Sequence, residues 1–387
     1  PRRPSWFGRN RNFARKNFAH TLMKRILFAT ILLVIGFNHV NAQEVFSEYQ
    51  GTWRAEVLDI LKIESRIIPG TENSENIQTL SARIIDGPKK GEVVTIKNDF
   101  LDLKKGSKFY FSYNIDVGGV RSYNALSVDR RGSLIFLIAI FSLAVVVFGG
   151  FQGLRSLLAL AGSFLAVFYI LIPGLLDGWH PLIASFSVAA GILFAAIFFT
   201  HGLNKESLVA YTGTMIAVIL TSVFALIAVK MTSLTGFATD EAVYLDFDTK
   251  GALDFTSILL GAIIIGVLGV LDDIAITQAA VVTELYGSNP SLSKFEVYRR
   301  AIRIGREHVG ALVNTLVLAY TGASLPLLLY FSLSTSTLGS IMNTEIIATE
   351  IVRAVVGSLG LILTVPIVTL LAVFYLKDYK GSHSHHH

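Results

Sequence analysis

The chain has 387 residues, 52% of them hydrophobic, no cysteine, and a mean hydropathy of +0.57. That composition excludes disulfides and thiolate metal sites, and it points to a protein that crosses a membrane several times and carries a modest polar part. The net charge of +5 does not argue for nucleic acid: residues 1–42 hold eight Lys or Arg and no acid, and subtracting those eight leaves −3 for the remainder.

The sequence starts at Pro1, and its first methionine is Met23. Lys24 and Arg25 then precede an apolar core, Ile26 to Phe37, and the small-residue run Val40-Asn41-Ala42, in the order of a secretory signal peptide. We expect residues 1–22 to be untranslated and 23–42 to export the next segment, with an uncleaved signal anchor as the alternative. Residues 43–130 are polar and alternate apolar runs (Trp53 to Ile63, Gln78 to Ile85, Glu92 to Ile96, Lys108 to Tyr113, Tyr123 to Val128) with turns such as Asp86-Gly87-Pro88 and Lys104-Lys105-Gly106. Five short strands predict a small β-rich extracytoplasmic domain, an OB-like barrel. It lacks a net basic face and a dense aromatic platform, so a structural role or a protein partner is expected rather than nucleic acid.

From Ser133 the character changes. Apolar runs at about 133–151, 156–173, 181–199, 208–229, 254–275, 311–331 and 351–376 predict an all-α bundle of about seven transmembrane helices, occupying 133–376, with a short tail, 377–387. Arg155, Lys205, Lys294, Arg299, Arg300, Arg303, Arg306, Lys377 and Lys380 fall in the predicted inner loops and tail, which makes the C-terminus cytoplasmic. Arg130 and Arg131, on the outer flank, are the exception. Asp240, Glu241, Asp246 and Asp248 crowd one outer loop, which reads first as hydrated surface and second as a gatherer of cations. In the inner loop after residue 288, Asn289-Pro290 breaks the chain and Ser293 with Glu296 has capping-box spacing. The predicted helix sets Phe295, Tyr298, Ile302 and Val309 beside Arg299, Arg300, Arg303 and Arg306, a basic amphipathic helix suited to the inner membrane surface.

The most informative stretch is Gly261 to Tyr286. On a helix, Ala262, Gly266, Gly269, Asp273, Thr277, Ala280 and Glu284 form one narrow stripe, small and then polar. Small residues such as Gly261, Ala262, Gly266 and Gly269 admit a neighbouring backbone, and carboxylates at membrane depth normally face a bundle interior or a water-filled cavity. Asp272, Asp273, Thr277, Gln278 and Glu284 are therefore candidate transport or ion-site residues. Asp272 and Asp273 at the water interface where a span ends is the plainer reading. The next span adds His308, Asn314 and Thr315, and its small face of Ala311, Thr315, Ala319 and Gly322 is expected to pack on the Gly266-Gly269 side. His308 would then lie level with Asp273 or Glu284, where it either sits at the membrane interface, the plainer reading of a lone His at a helix start, or relays protons or helps hold a cation.

The run GVLGVLDDIAITQAAVVTEL, then NPSLSK, then RRAIRIGREHVGALVNTLVLAYTGASLPLLL resembles the signature of the YibE/F-like family of bacterial multi-pass membrane proteins. The resemblance covers most of Ser133 to Leu376 and is most specific from Gly261 to Leu329. Ala275 and Glu307 depart from the family pattern, where a hydroxyl residue and an Asp are usual. The resemblance implies the bacterial cytoplasmic membrane and a permease-like protein, and it supplies no substrate.

The reading favoured by these residues is a transporter, coupled to protons or a cation, with Asp273 as the ion site, Glu284 and His308 as relay partners, and Asn314 facing the ligand. The alternative is a non-transporting scaffold or regulatory subunit that holds a partner through its outer domain. An intramembrane aspartyl protease fails on geometry, since adjacent residues point about 100° apart and Asp254 lies about 27 Å along the same helix. No HExxH, G-x-S-x-G or Walker loop occurs, so we expect no enzyme, no catalytic residue, no cofactor and no metal. The expected partners are the lipid bilayer, a small solute or cation, a protein at the outer domain, and a second copy of the chain.

Overall fold

A computed structural model describes residues 51–67, 74–115 and 121–377. The predicted signal peptide, the segment before it and all but the first residue of the predicted tail lie outside the described residues. The chain divides into two units, with the boundary between Phe136 and Leu137.

The first unit holds five strands, β1 (Gly51–Ile67), β2 (Ser74–Ile84), β3 (Val93–Asn98), β4 (Lys108–Ile115) and β5 (Arg121–Val128), closed into a barrel in the order β1-β2-β3-β5-β4. The pairings are antiparallel except that of β3 with β5. The period-two pattern makes the core: Val57, Leu80, Ala82, Ile84, Phe109 and Phe111 are buried on alternate positions. Two polar side chains enter it and are satisfied: Asn98 Nδ2 donates to Gln78 Oε1 at 2.8 Å, and Gln78 Nε2 to the Leu103 carbonyl at 3.2 Å. Gly87, at φ 84, lies against the Trp53 ring where a Cβ has no room. Next to that ring, Lys89 Nζ sits 4.7 Å over Tyr113 and donates to the Tyr123 hydroxyl. Burial opposes the Lys89 charge, yet the Tyr123 hydrogen bond and the neighbouring Tyr and Glu92 charges outweigh it and raise the pKa above the usual lysine value.

β1 is longer than its apolar run suggests. Past Lys62 and Ile63, whose partners Thr79 and Gln78 still pair with β3, it continues with β2 alone as a two-stranded arm, Glu64 with Ile77 through Ile67 with Ser74. Lys62, Glu64 and Arg66 share one face, and Leu61, Ile63 and Ile67 stand exposed on the other.

The second unit is helical. In chain order its elements are α1 (Arg131–Leu176), α2 (Pro181–His201), α3 (Lys205–Met231), α4 (Asp240–Asp248), α5 (Phe255–Ser288), α6 (Lys294–Ala323), α7 (Leu325–Ser332), α8 (Leu338–Met342) and α9 (Glu345–Tyr375). Among the described residues, α1, α2, α3, α5 and α9 are each long and apolar enough to cross a membrane, and the bent pair α6–α7 makes a sixth if taken as one span.

Two details differ from the sequence expectation of separate elements. The first two predicted spans form one helical stretch of 46 residues, α1, broken at Gly150 (φ 55, ψ −137), a conformation open to glycine. Gly153 abuts the Val145 carbonyl, eight residues back; a straight helix would hold them about 12 Å apart, so the chain doubles back at the break. The predicted surface helix and the sixth predicted span are also one element, α6. Its start is fixed by the full capping box of Ser293 and Glu296, and no breaker follows until Pro326, where missing N–H and ring sterics turn the chain by 62° into α7.

α5 is the hub, packed against α2, α3, α6 and α9. Glycines permit the closest approaches: Gly261 of α5 meets the Ser185 hydroxyl of α2, Gly360 of α9 meets Thr221 of α3, and a Cβ on Gly213 of α3 would lie 2.6 Å from Val368 of α9.

Candidate functional site

α5 is continuous from Phe255 to Ser288, so the two acids sit on an unbroken helix. Asp272 lies about 26 Å along it from Phe255, close to the full depth of a hydrocarbon core of about 30 Å. The buried face of α5 carries Ile263, Ile264, Val267, Leu271, Ala275 and Ala279, among others. The stripe of Ala262, Gly266, Gly269, Asp273 and Glu284 lies on the exposed side.

That exposed side borders a cleft of about 470 Å³ formed by the second half of α1, α2 and α5. Gly269, Asp272 and Asp273 line one wall, Ser156 and Ser163 of α1 a second, and Thr200 and His201 of α2 a third. Asp272 is half-buried and Asp273 open to the cleft. His201 is within electrostatic reach of Asp273 and of Glu206. Thr200 Oγ1 lies 2.7 Å from His201 Nδ1, and the Thr200 hydroxyl also reaches the Ala196 carbonyl. A carboxylate pair and an imidazole around a partly enclosed cleft can bind a proton or a small cation and pass it on.

A smaller cleft of about 290 Å³ continues along the same face of α5 and is lined by Glu206, Thr277, Ala280, Thr283 and Glu284. Thr277 and Thr283 donate to the Asp273 and Ala279 carbonyls of their own helix, which leaves Glu206 and Glu284 as the charged groups of this space. Among the described residues no three His, Asp or Glu side chains converge to hold a metal ion.

The remaining sequence candidates fall elsewhere. Gln278 is buried, and its Nε2 donates to the Ala301 carbonyl of α6 at 2.9 Å and to Thr369 Oγ1 of α9 at 2.8 Å, which makes it a three-helix tie. His308, Asn314 and Thr315 are exposed on α6, and none lines the cleft of the two acids. The histidine beside the acids is His201. Its sequence signal was a Thr-His-Gly sequence closing an apolar helix, and its nearness to the middle of α5 is visible only once the helices are packed. Gly261 packs on α2, a Cβ on Gly266 would lie 3.7 Å from the Tyr320 hydroxyl, and Gly269 and Gly322 face open space. Arg299, Arg300, Arg303 and Arg306 are exposed, whereas Val297, Ala301 and Gly305 turn the other side of α6 into the bundle.

Compared with known protein families, residues 137–378 match the model described as YibE/F-like protein. No curated protein and no solved structure matches the chain.

Proposed function

The chain belongs to the YibE/F-like family, and on that premise we propose that this membrane protein is a transporter driven by protons or a small cation, with Asp272, Asp273 and His201 as its ion site. The observation that carries the proposal is the cleft in which α2 and α5 bring these three ionisable groups together, His201 from the end of α2 and the two acids from the middle of α5. Glu206 and Glu284, in the adjoining space, extend the path. The protein performs no covalent chemistry in this reading. Its membrane is the bacterial cytoplasmic membrane, with the barrel outside and the C-terminus inside, as the export signal and the Lys/Arg distribution support. Seven crossings follow if α1 passes twice by turning at Gly150 and α6–α7 passes once. The strand order, with one parallel pairing, supports an OB-like class for the barrel.

A cysteine scan tests the site, since the chain has no native cysteine. Gly269→Cys and Asp273→Cys should react with a small, membrane-impermeant thiol reagent from one side only, and Ile263→Cys should not react. Proteoliposomes holding the wild type should dissipate an imposed proton or cation gradient, and Asp273→Asn and His201→Gln should each reduce that flux at least tenfold. Cleft positions sealed from both sides, or flux unchanged in both variants, would sink the proposal.

One observation favours the second reading, a scaffold: the exposed apolar side chains along β1, Leu61, Ile63 and Ile67, suit a protein partner. Loss of a co-purifying protein on Ile63→Ser, with transport-site variants silent, would move that reading to first place.

A further inference from the structure

A groove of about 480 Å³ runs between α6 and α9, away from the acid cleft in its lining, and its character changes along its length. At one end stand Tyr320 and Thr321 of α6, Ser324 just after it, and Glu350 of α9; at the other, Val313, Leu359 and Ile362. From Ile347 to Ile362 the α9 wall is about 22 Å long. A whole bilayer with its headgroup layers measures about 40–45 Å, so the groove is as tall as one leaflet.

At its polar end the lining carboxylate, Glu350, is paired with Arg353, which flanks the groove without lining it. Arg353 Nη1 donates to Glu350 Oε1 at 2.7 Å, and the guanidinium lies 5.9 Å from the Tyr320 ring centroid. Both partners keep about a quarter of their side-chain surface open. An ion pair held on a spanning helix is costly unless it serves a ligand or a partner, and Arg353 retains donors beyond the one that Glu350 takes. Further along, Ser358 lines the groove, and its buried hydroxyl makes no hydrogen bond in the protein. On the same helix Thr364 and Thr369 donate to the Gly360 and Val365 carbonyls, whereas Ser358 and, outside the groove lining, Thr349 make no such bond.

We propose that the groove holds one membrane phospholipid with a phosphoethanolamine head. The acyl chain lies along Val313, Val355, Leu359 and Ile362, the phosphate accepts from Arg353, and the primary ammonium donates to Glu350. A purely anionic head would meet the Glu350 carboxylate. A choline head has no N–H to donate to it, and the Tyr320 face, the natural seat of a quaternary ammonium, is already taken by Arg353. The site is independent of the transport reading, since none of its residues lines the acid cleft.

The test is native mass spectrometry on the full chain in detergent, titrated with phosphatidylethanolamine, phosphatidylglycerol and phosphatidylcholine of identical acyl composition. The wild type should take one tight equivalent of phosphatidylethanolamine, about fivefold tighter than either competitor, the scale of one partly exposed ion pair. Glu350→Gln, nearly isosteric, should still bind lipid but lose the preference over phosphatidylglycerol. Ala354→Trp, which fills the groove, should lose the tight equivalent while its elution volume stays that of the wild type. Equal affinity for the three lipids overturns the proposal, as does a preference that survives Glu350→Gln or a tight equivalent that survives Ala354→Trp. If Ala354→Trp misfolds, the selectivity of wild type and Glu350→Gln decides alone.

Discussion

Replacing Gln278 by Leu separates a structural amide from a ligand-binding one. The substitution removes two hydrogen bonds, to the Ala301 carbonyl at 2.9 Å and to Thr369 Oγ1 at 2.8 Å, which join α5 to α6 and α9. Inter-helical bonds in membrane proteins average about 0.6 kcal/mol and reach about 1.7 kcal/mol, so two of them contribute about 1–3 kcal/mol. The groups left behind suffer little: Thr369 still donates to the Val365 carbonyl at 2.6 Å, and Leu fills nearly the volume of Gln without a polar atom to bury. Destabilisation should therefore stay near 1–3 kcal/mol, and Gln278→Ala should cost more because a cavity is added. Equilibrium unfolding in mixed micelles, run as a double-mutant cycle with Thr369→Val, should return a coupling of about 0.6–1.7 kcal/mol. Wild-type stability for Gln278→Leu together with lost gradient dissipation would refute this and return Gln278 to the ion site.

Gly360→Val should destabilise the bundle by about 1–3 kcal/mol, because the Thr221 hydroxyl already occupies the space of a Cβ and both sides are buried; thermal unfolding in detergent reads the loss. Glu345 accepts from the Thr235 N–H at 2.8 Å, the Thr235 hydroxyl at 2.7 Å and the Gly236 N–H at 2.7 Å, tying the loop after α3 to the start of α9. Glu345→Ala should speed hydrogen exchange at residues 235–237 about tenfold or more, leaving α5 unchanged. In the barrel, Asp86 accepts from both the backbone N–H and the Nε of Arg54. With side chains 22% and 38% exposed, the pair is partly screened, and Asp86→Ala should show as faster exchange in β1 and β4.

The elements that sequence reading located best are those whose signal is local. Period-two alternation found all five strands, and the Ser293–Glu296 spacing fixed the start of α6 to the residue. What it missed depends on non-local geometry. The β1–β2 arm outruns its apolar core because pairing continues where burial stops. α6 was cut at its charged residues, yet a helix tolerates an exposed arginine and α6 runs unbroken to Ala323, whereas the cut in α1 lies close to the true break at Gly150. Asp272 and Asp273 were legible because carboxylates stand out in apolar sequence. His201 was not, because its importance lies in which helix end faces Asp273, and a single span cannot report that.

The exposure of the α5 stripe decides between two meanings of small residues on a membrane helix. If Gly266 and Gly269 existed to admit α6, their missing Cβ atoms would be matched by close neighbours, as happens at Gly261 against Ser185. Nothing approaches Gly269 within 4 Å, and a Cβ at Gly266 would be in ordinary contact with the Tyr320 hydroxyl. Gly269 therefore keeps open the space beside Asp272 and Asp273 rather than sealing a helix seam. Gly261→Ala should lower the unfolding temperature, because Ser185 must move. Gly269→Ala should leave it unchanged, and the wider Gly269→Leu should do the same while blocking access to Asp273→Cys placed in the same chain. If Gly269→Ala destabilises as much as Gly261→Ala, the stripe is a packing seam after all, and the cleft is not a passage for ions.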